Sequence, residues 1–344
     1  MTTLIFILNL AGATMLLLFA VRMVQTGIER SMGSSFRRII TARRENRLQT
    51  AFAGVLLAII LQSATAAALL ASGFAGSGLL SFTGGLSVVL GADVGSALVI
   101  QILSFKLSWM IPLLLAAGGY LFLKVEGPVL RQVGRILLGV ALILLALRLI
   151  GEAMGPIREG DFLPAIAEYL RSDYVTAFLV GAAVTFVMHS SVAAILMFVT
   201  FVSLGALPVG AGVSLILGAN LGSATLPIWL SRGMAVDARR VPLGNLILRG
   251  FGAIIALLIV NNTPVLGLFR GFGDGQTLVS VHLAFNILLL ITALPFVSFL
   301  EKPVSSLLPS DPVAEKDGER MKPVSALDHR VINNPQMALA SLTR

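Results

Sequence analysis

The sequence predicts an all-α polytopic membrane protein made of two inverted-topology repeats, each with a re-entrant helical hairpin and a broken transmembrane helix. Three observations lead to this prediction. The chain is 56% hydrophobic and only 12% charged, whereas soluble domains carry about 25% charged residues. Long apolar segments recur along the chain, as expected of membrane helices. Residues 54–97 recur without a gap at residues 181–224, which indicates an internal duplication.

The apolar segments predict the positions of the helices. They lie at 4–24, 50–80, 83–104, 107–123, 132–150, 176–206, 208–230, 242–262 and 279–300. The segments 50–80 and 176–206 are interrupted halfway by polar residues, LQSATAA at 61–67 and MHSSVAA at 188–194. Each is long enough for two half-length helices, so we expect two re-entrant hairpins rather than two simple spans.

The duplication predicts the domain organisation. Ser63 matches Ser190, and GADVGSA at 91–97 matches GANLGSA at 218–224. Each repeat contains three crossings, and because this number is odd the second repeat must be inverted relative to the first. We expect transport repeat 1 at 1–124 (hairpin 50–80), inverted transport repeat 2 at 125–262 (hairpin 176–206), an additional transmembrane helix at 263–300 and a cytoplasmic linker at 301–344.

The distribution of charge predicts the orientation in the membrane. The arginines cluster in short loops between apolar segments, so the net charge of +8 indicates the positive-inside rule rather than a nucleic-acid partner. The loop at 22–47 is rich in arginine and is expected in the cytoplasm, whereas 151–174 is acidic and is expected outside. In this topology the N-terminus lies outside and the polar C-terminal tail lies in the cytoplasm. The absence of cysteine excludes disulfides and cysteine-based metal sites.

The interruptions of the two hairpins predict a binding site for a small ion or oxyanion. The candidate residues are Gln62, Ser63, Thr65, His189, Ser190 and Ser191. A helix that begins after Ser63 or Ser190 directs free amides and the positive end of its dipole at an anion. Small hydroxyl residues also serve close helix packing. Two polar clusters at matching positions of a repeat favour the binding site.

The Gly-Ala-Asp/Asn-x-Gly-Ser blocks predict a sodium site. The candidate ligands are Asp93, Ser96, Asn220 and Ser223, with Ser63 and Ser190 from the hairpins. Their oxygens are hard ligands that suit Na⁺, and the glycines are expected to weaken the helices. A G-x-x-x-G packing face explains the glycines but not the carboxylate, which is expensive inside a membrane.

Four further polar residues receive other interpretations. His189 replaces the Gln62 of the first repeat, and either proton coupling or a neutral hydrogen-bonding role fits it. Arg249 and His282 are interpreted as packing or interface residues outside the site, and Arg22 as a residue that snorkels to the membrane interface.

These residues carry a resemblance to a known family. QSATAA and HSSVAA, followed by GADVGSA and GANLGSA, resemble the duplicated Q-S-S-S and G-x-N-x-G-T motifs of the type II sodium-dependent phosphate cotransporters. The resemblance covers roughly residues 1–300 and implies that both hairpins line a phosphate and sodium site at the membrane midplane. Bacterial members often continue into a PhoU-like helical domain. The segment ALDHRVINNPQMALASLTR is similar to its opening, so we expect a truncated form in a bacterial inner membrane.

The resemblance implies a sodium-coupled phosphate symporter that works by alternating access, without enzymatic chemistry or a cofactor other than Na⁺ as coupling ion. Its partners are phosphate, Na⁺ and the bilayer, and a homodimer is left open. Ala64, His189 and Asp93 depart from the family motifs, so proton coupling or another small anion stays open. A phosphate sensor is the alternative function. A hydrolase using Ser190 or Ser191 with His189 is disfavoured, because adjacent residues on one helix do not easily pair as nucleophile and base.

Overall fold

The computed structural model describes residues 2–32, 46–105, 108–153 and 168–309, and all regular structure in these ranges is helical. The α-helices are α1 (Thr2–Met32), α2 (Arg47–Leu61), α3 (Ala64–Gly76), α4 (Phe82–Leu103), α5 (Ile111–Lys124), α6 (Pro128–Ala153), α7 (Tyr174–Met188), α8 (Ser191–Ser203), α9 (Val209–Leu230), α10 (Val236–Asn262), α11 (Asp274–Ala293) and α12 (Glu301–Leu307). Short 3₁₀ segments at Ser108–Met110, Pro264–Phe269 and Leu294–Leu300 join or extend them.

Within the described ranges, six helical stretches are long and apolar enough to cross a membrane. They are Ile5–Ile28, Phe82–Leu103, Pro128–Ala153, Val209–Leu230, Val236–Asn262 and Asp274–Leu307. The segment predicted as a span at 107–123 forms only the shorter apolar helix Ser108–Lys124. Much of the arginine-rich loop at 22–47, part of the acidic loop at 151–174 and the tail from residue 310 lie outside the described residues.

The duplication of the sequence is also a duplication of local structure. The bounds of α2, α3 and α4 recur, residue for residue, in α7, α8 and α9 after a shift of 127 positions. The capping residue recurs as well, since Asn46 caps α2 and Asp173 caps α7 with side-chain oxygens that accept backbone N–H bonds. The two segments therefore fold in the same way up to the end of α9.

The interruptions at 61–67 and 188–194 are breaks between helices, as the polar residues predicted. Gln62 (φ 49°) and His189 (φ 52°) are the non-glycine residues with positive φ in the described part of the chain, and each ends a helix in the left-handed region. The next residue, Ser63 or Ser190, is extended and begins a new helix. A single left-handed residue followed by a serine cap therefore produces each break.

The prediction of a broken transmembrane helix in each repeat is wrong. The helices α4 and α9 continue through both Gly-Ala-Asp/Asn blocks. A Cβ on Gly91 would overlap the carbonyl oxygen of Ala51 in α2, and a Cβ on Gly218 would overlap that of Phe178 in α7. The glycines therefore let α4 pack directly on the backbone of α2, and α9 on that of α7, instead of unwinding the helices.

The two central helices, α4 and α9, are buried along most of their length. Helix α10 packs on α3, α4 and α9, and α11 packs on α8, α9 and α4. The register of the two packings agrees, since Gly85 of α4 faces Val241 of α10 and Gly212 of α9 faces Leu278 of α11. Helix α11 was predicted to lie outside both repeats. It packs on α9 in the same register as α10 packs on α4.

Candidate functional site

A cavity of about 340 Å³ lies where the two breaks meet α1. It is lined by Leu18, Val21, Arg22, Gln25, Thr26, Ser63, Thr65, Ala66, Leu69, Met188, His189 and Ser190. The α1 residues belong to the C-terminal half of that helix. The structure thus brings together two breaks that are more than a hundred residues apart in the chain.

Four of the six residues predicted for anion binding line this cavity. They are Ser63, Thr65, His189 and Ser190. Gln62 and Ser191 are not among the lining residues; the backbone carbonyl of Gln62 accepts a hydrogen bond of 3.3 Å from Gln25 Nε2, which ties the first break to α1.

The helix ends at the cavity present a donor-rich surface. Ser63 Oγ accepts from the Ala66 N–H at 3.1 Å, and Ser190 Oγ accepts from the Ala193 N–H at 3.2 Å. Each hydroxyl proton stays available to a ligand, and α3 and α8 direct the positive ends of their dipoles here. His189 Nδ1 donates to the Val187 carbonyl at 3.0 Å, which leaves Nε2 for a ligand.

Arg22 gives the cavity its charge. Arg22 was predicted to snorkel to the membrane interface, but it lines the cavity. Among the described residues it forms no ion pair, and no acidic side chain lines the cavity with it. A guanidinium, two helix N-termini and several hydroxyls without a carboxylate suit a small oxyanion.

A second group of polar residues, the buried cluster, lies apart from the cavity lining. It consists of Asp93 on α4, Asn220 on α9, Asn245 and Arg249 on α10, and His282 and Asn286 on α11, all at most 3% exposed. Arg249 Nη1 pairs with Asp93 Oδ1, and Arg249 Nη2 donates to Asn220 Oδ1 at 2.8 Å. One guanidinium therefore connects the matching Asp and Asn of the two repeats.

The contacts of Arg249 also set the protonation of His282. Arginine only donates, so the atom of Asn220 that faces it is Oδ1, and Asn220 Nδ2 must donate elsewhere. It donates to the Ile216 carbonyl at 2.8 Å and lies 3.3 Å from His282 Nδ1, which must therefore accept. Asn286 Nδ2 lies 3.4 Å from the same nitrogen. His282 is thus neutral, and the whole cluster carries no net charge.

The predicted sodium ligands are divided between these regions. Ser63 and Ser190 line the cavity, whereas Asp93, Ser96, Asn220 and Ser223 are buried on α4 and α9. Ser223 Oγ donates to the Asn220 carbonyl at 3.0 Å. Where the sequence analysis expects Na⁺ beside Asp93, the structure has the guanidinium of Arg249, so sodium binding there stays a prediction.

Arg249 and His282 were predicted to be packing or interface residues, and both belong to the buried cluster. A usable signal was present, because a charged residue inside an apolar helix calls for a partner. A second signal is that Asn245 and Arg249 have the same four-residue spacing as His282 and Asn286. Neither signal identifies Asp93 as the partner, because that contact joins residues 156 positions apart.

Comparison with known proteins gives the family. The model of a family described as "Na+/Pi-cotransporter" matches residues 16–152 and 158–274. Proteins from Salmonella typhimurium (strain LT2) and Escherichia coli (strain K12), both named "Putative inorganic phosphate export protein YjbB", are 31% identical over 98% of this chain. The chain spans 62% of their length. The "Uncharacterized protein YqeW" of Bacillus subtilis (strain 168) is 23% identical over 88% of this chain and 99% of its own length.

No solved structure matches the chain significantly. The apolar helices and the relatives together identify a multi-pass bacterial membrane protein.

Proposed function

The chain belongs to the Na+/Pi-cotransporter family, and from this premise we propose that it is a sodium-coupled transporter of inorganic phosphate, with the cavity at the two breaks as its phosphate site. The observation that carries the proposal is the meeting of Arg22 with Ser63 and Ser190 in one cavity. Phosphate is a small anion with acceptor oxygens on every side, and these residues supply cationic and neutral donors from three elements.

Sodium coupling is proposed at the same cavity. A cation bound beside the oxygens of Ser63, Thr65 and Ser190 would offset the charge of phosphate and bind more tightly in its presence. The predicted ligands Asp93, Ser96, Asn220 and Ser223 give a second location. A sodium ion at Asp93 has to compete with the guanidinium of Arg249.

The transport mechanism proposed is alternating access between two inverted repeats whose helix pairs α2–α3 and α7–α8 are re-entrant hairpins. Their repeated bounds and their shortness, at 13 or 15 residues each, support this proposal. The cavity lies beside the C-terminal half of α1, which the arginine-rich loop assigns to the cytoplasmic side. On the predicted topology, we infer that this cavity exchanges phosphate with the cytoplasm.

The direction of net transport is a separate question. The family description is that of a cotransporter, whereas the first relatives are named for phosphate export. A coupled carrier runs in the direction that the combined gradients of its solutes dictate. We propose that the cavity described accepts phosphate from the cytoplasm and that ion gradients decide whether it is exported.

The test is ³²P-phosphate flux in proteoliposomes containing the purified chain, with Na⁺, Li⁺ and pH gradients imposed in each direction. We expect phosphate movement that follows an imposed Na⁺ gradient and reverses with it. Flux that follows only the pH gradient would replace Na⁺ by H⁺. The absence of flux under every gradient, together with phosphate binding to the purified chain, would replace the transporter by a phosphate sensor.

A further inference from the structure

The buried cluster has two halves that repeat each other. From α10 Arg249 pairs with Asp93, with Asn245 one turn before it on the same helix, and from α11 His282 and Asn286 reach Asn220. The matching contacts of Val241 with Gly85 and of Leu278 with Gly212 set the same register on both sides. Arg249 lies as many residues after Val241 as Asn286 lies after Leu278. Arg249 and Asn286 therefore occupy equivalent positions in the two halves.

Charge is balanced within each half. In the first half the carboxylate of Asp93 pairs with the guanidinium of Arg249. In the second half the amide of Asn286 donates to Asn220 Oδ1 at 3.4 Å, and both side chains are neutral. The second half shows what the first half would be without its charges. Where the second half has Asn220 and Asn286, the first half has Asp93 and Arg249. The negative charge added on α4 is therefore matched by a positive charge added on the facing helix.

We propose that Arg249 is a positioning residue for transport, and that the Asp93 carboxylate serves as its counter-charge rather than as a sodium ligand. Arg249 contacts Asp93 on α4 and Asn220 on α9, so this one side chain links the two central helices. The position of Arg249 in turn depends on Asn286 of α11, because Asn286 Nδ2 donates to the same oxygen, Asn220 Oδ1, at 3.4 Å.

The relative position of α4 and α9 affects the cavity through the two helices that begin at the breaks. Helix α3 is capped by Ser63 and packs on α4, α9 and α10. Helix α8 is capped by Ser190 and packs on α9, α4 and α11. A shift of α4 against α9 therefore moves the two capped helix ends relative to each other. In this way Arg249 acts on phosphate binding without lining the cavity.

The experiment is a double-mutant cycle with Asp93→Asn, Arg249→Asn and the combined variant, which copies the Asn–Asn pair of the second half. The matched control cycle uses Arg148→Gln and Glu152→Gln, an ion pair whose side chains are 64% and 55% exposed. Thermal unfolding in detergent is measured first, because it needs no transport. Phosphate KM, Vmax and Na⁺ dependence in proteoliposomes are measured next, and this second part rests on the proposed function.

We expect each single variant of the buried pair to lower the melting temperature by at least about 5 °C, because the remaining charge is buried without a partner. The double variant should regain more than half of that loss, whereas the control cycle should show no coupling. If a single variant yields no folded protein, recovery of folded protein in the double variant supports the proposal in the same way as a regained melting temperature. A double variant no better than the worse single variant would overturn the proposal.

The transport measurements separate positioning from sodium binding. Single variants that fold should raise the phosphate KM by roughly tenfold. The double variant should regain stability and keep its Na⁺ dependence but retain the raised KM, because an asparagine at position 249 does not bridge α4 to Asn220. A double variant with the KM of the parent would show that Arg249 does not position the site. Arg249→Lys keeps a charge beside Asp93 but cannot reach Asn220 at the same time, so it should fold and keep a raised KM. A stable double variant that has lost its Na⁺ dependence would show that Asp93 binds sodium and would overturn the proposal. Coupling in the melting temperatures without phosphate flux in the parent would remove the proposed function alone and leave the pairing standing.

Discussion

The cavity and the buried cluster are built on the same plan and differ in what completes them. Each takes one residue set from the first repeat and the matching set from the second, namely Ser63 with Ser190 and Asp93 with Asn220. Each also receives one arginine from a helix outside the repeated triplets α2–α4 and α7–α9. In the cluster Arg249 meets a carboxylate, whereas Arg22 meets none among the described residues in the cavity.

This difference separates a structural role from a binding role. A buried arginine whose charge is already neutralised by an aspartate is not accessible to an external anion, and Arg249 is only 3% exposed. An exposed arginine between two helix N-termini is accessible to such an anion. A repeated polar motif in a membrane helix therefore does not by itself indicate a ligand, since its function depends on which third element packs against it.

The largest effect is expected where α4 packs most closely on α2. Gly91→Ala places a Cβ against the Ala51 carbonyl oxygen, which cannot move without shifting α2. We expect the free energy of unfolding to fall by about 3 kcal/mol or the folded protein to be lost. Gly119→Ala is the matched control, because a Cβ there meets nothing within 4 Å. Equal stability of the two variants in thermal unfolding would mean that α4 slides freely on α2.

The next effect is expected in the cavity and should leave stability alone. Arg22→Gln removes the cationic donor that lines it, so the phosphate KM should rise by roughly tenfold or more. The melting temperature should stay within about 1 °C of the parent, since Arg22 is exposed. Arg148→Gln removes another exposed arginine at the end of a membrane helix and should leave the KM unchanged. An unchanged KM in Arg22→Gln would move the phosphate site away from this cavity.

A smaller effect tests whether the serine caps have a second role. Ser63→Ala and Ser190→Ala should each cost about 1 kcal/mol, because each serine caps the helix that it begins. Ser81→Ala is the control, since Ser81 caps α4 in the same way, at 3.1 Å from the Gly84 N–H, but does not line the cavity. All three variants should lose similar stability, and only the first two should raise the phosphate KM. A raised KM in Ser81→Ala would assign the change to capping alone.

The smallest effect comes from the other Asp-for-Asn exchange between the repeats. Asp173 caps α7 where Asn46 caps α2, and hydrogen bonds from the Thr176 hydroxyl and backbone N–H lower the pKa of Asp173 from its ordinary value of 3.8. A lowered pKa contributes stability above pH 3.8 that disappears as the pH falls through the folded-state value. Asp173→Asn should therefore be slightly less stable than the parent at pH 7, with the gap closing below about pH 4. A gap that stays constant in thermal unfolding from pH 7 to pH 3 would mean that the carboxylate charge contributes nothing.

The sequence predicted the local features of both regions. Polar residues inside apolar segments placed the breaks at Gln62 and His189, because a helix in an apolar setting is interrupted where side chains and freed backbone groups can be satisfied. The ungapped repeat predicted that Ser63 and Ser190 would have the same conformation. The glycines were misinterpreted, since their effect depends on the neighbouring backbone, which the sequence does not reveal.

By itself the sequence therefore determined an apolar helical chain, a duplicated triplet of helices and the two serine-capped breaks. Hydropathy, repetition and capping act over a few residues, and all of them are visible in the order of the residues. The tertiary structure alone decided that Arg249 meets Asp93 while Arg22 meets the breaks. Those contacts join helices far apart in the chain, and their physical meaning, a neutral pair in one place and an open cationic site in the other, depends on three-dimensional packing.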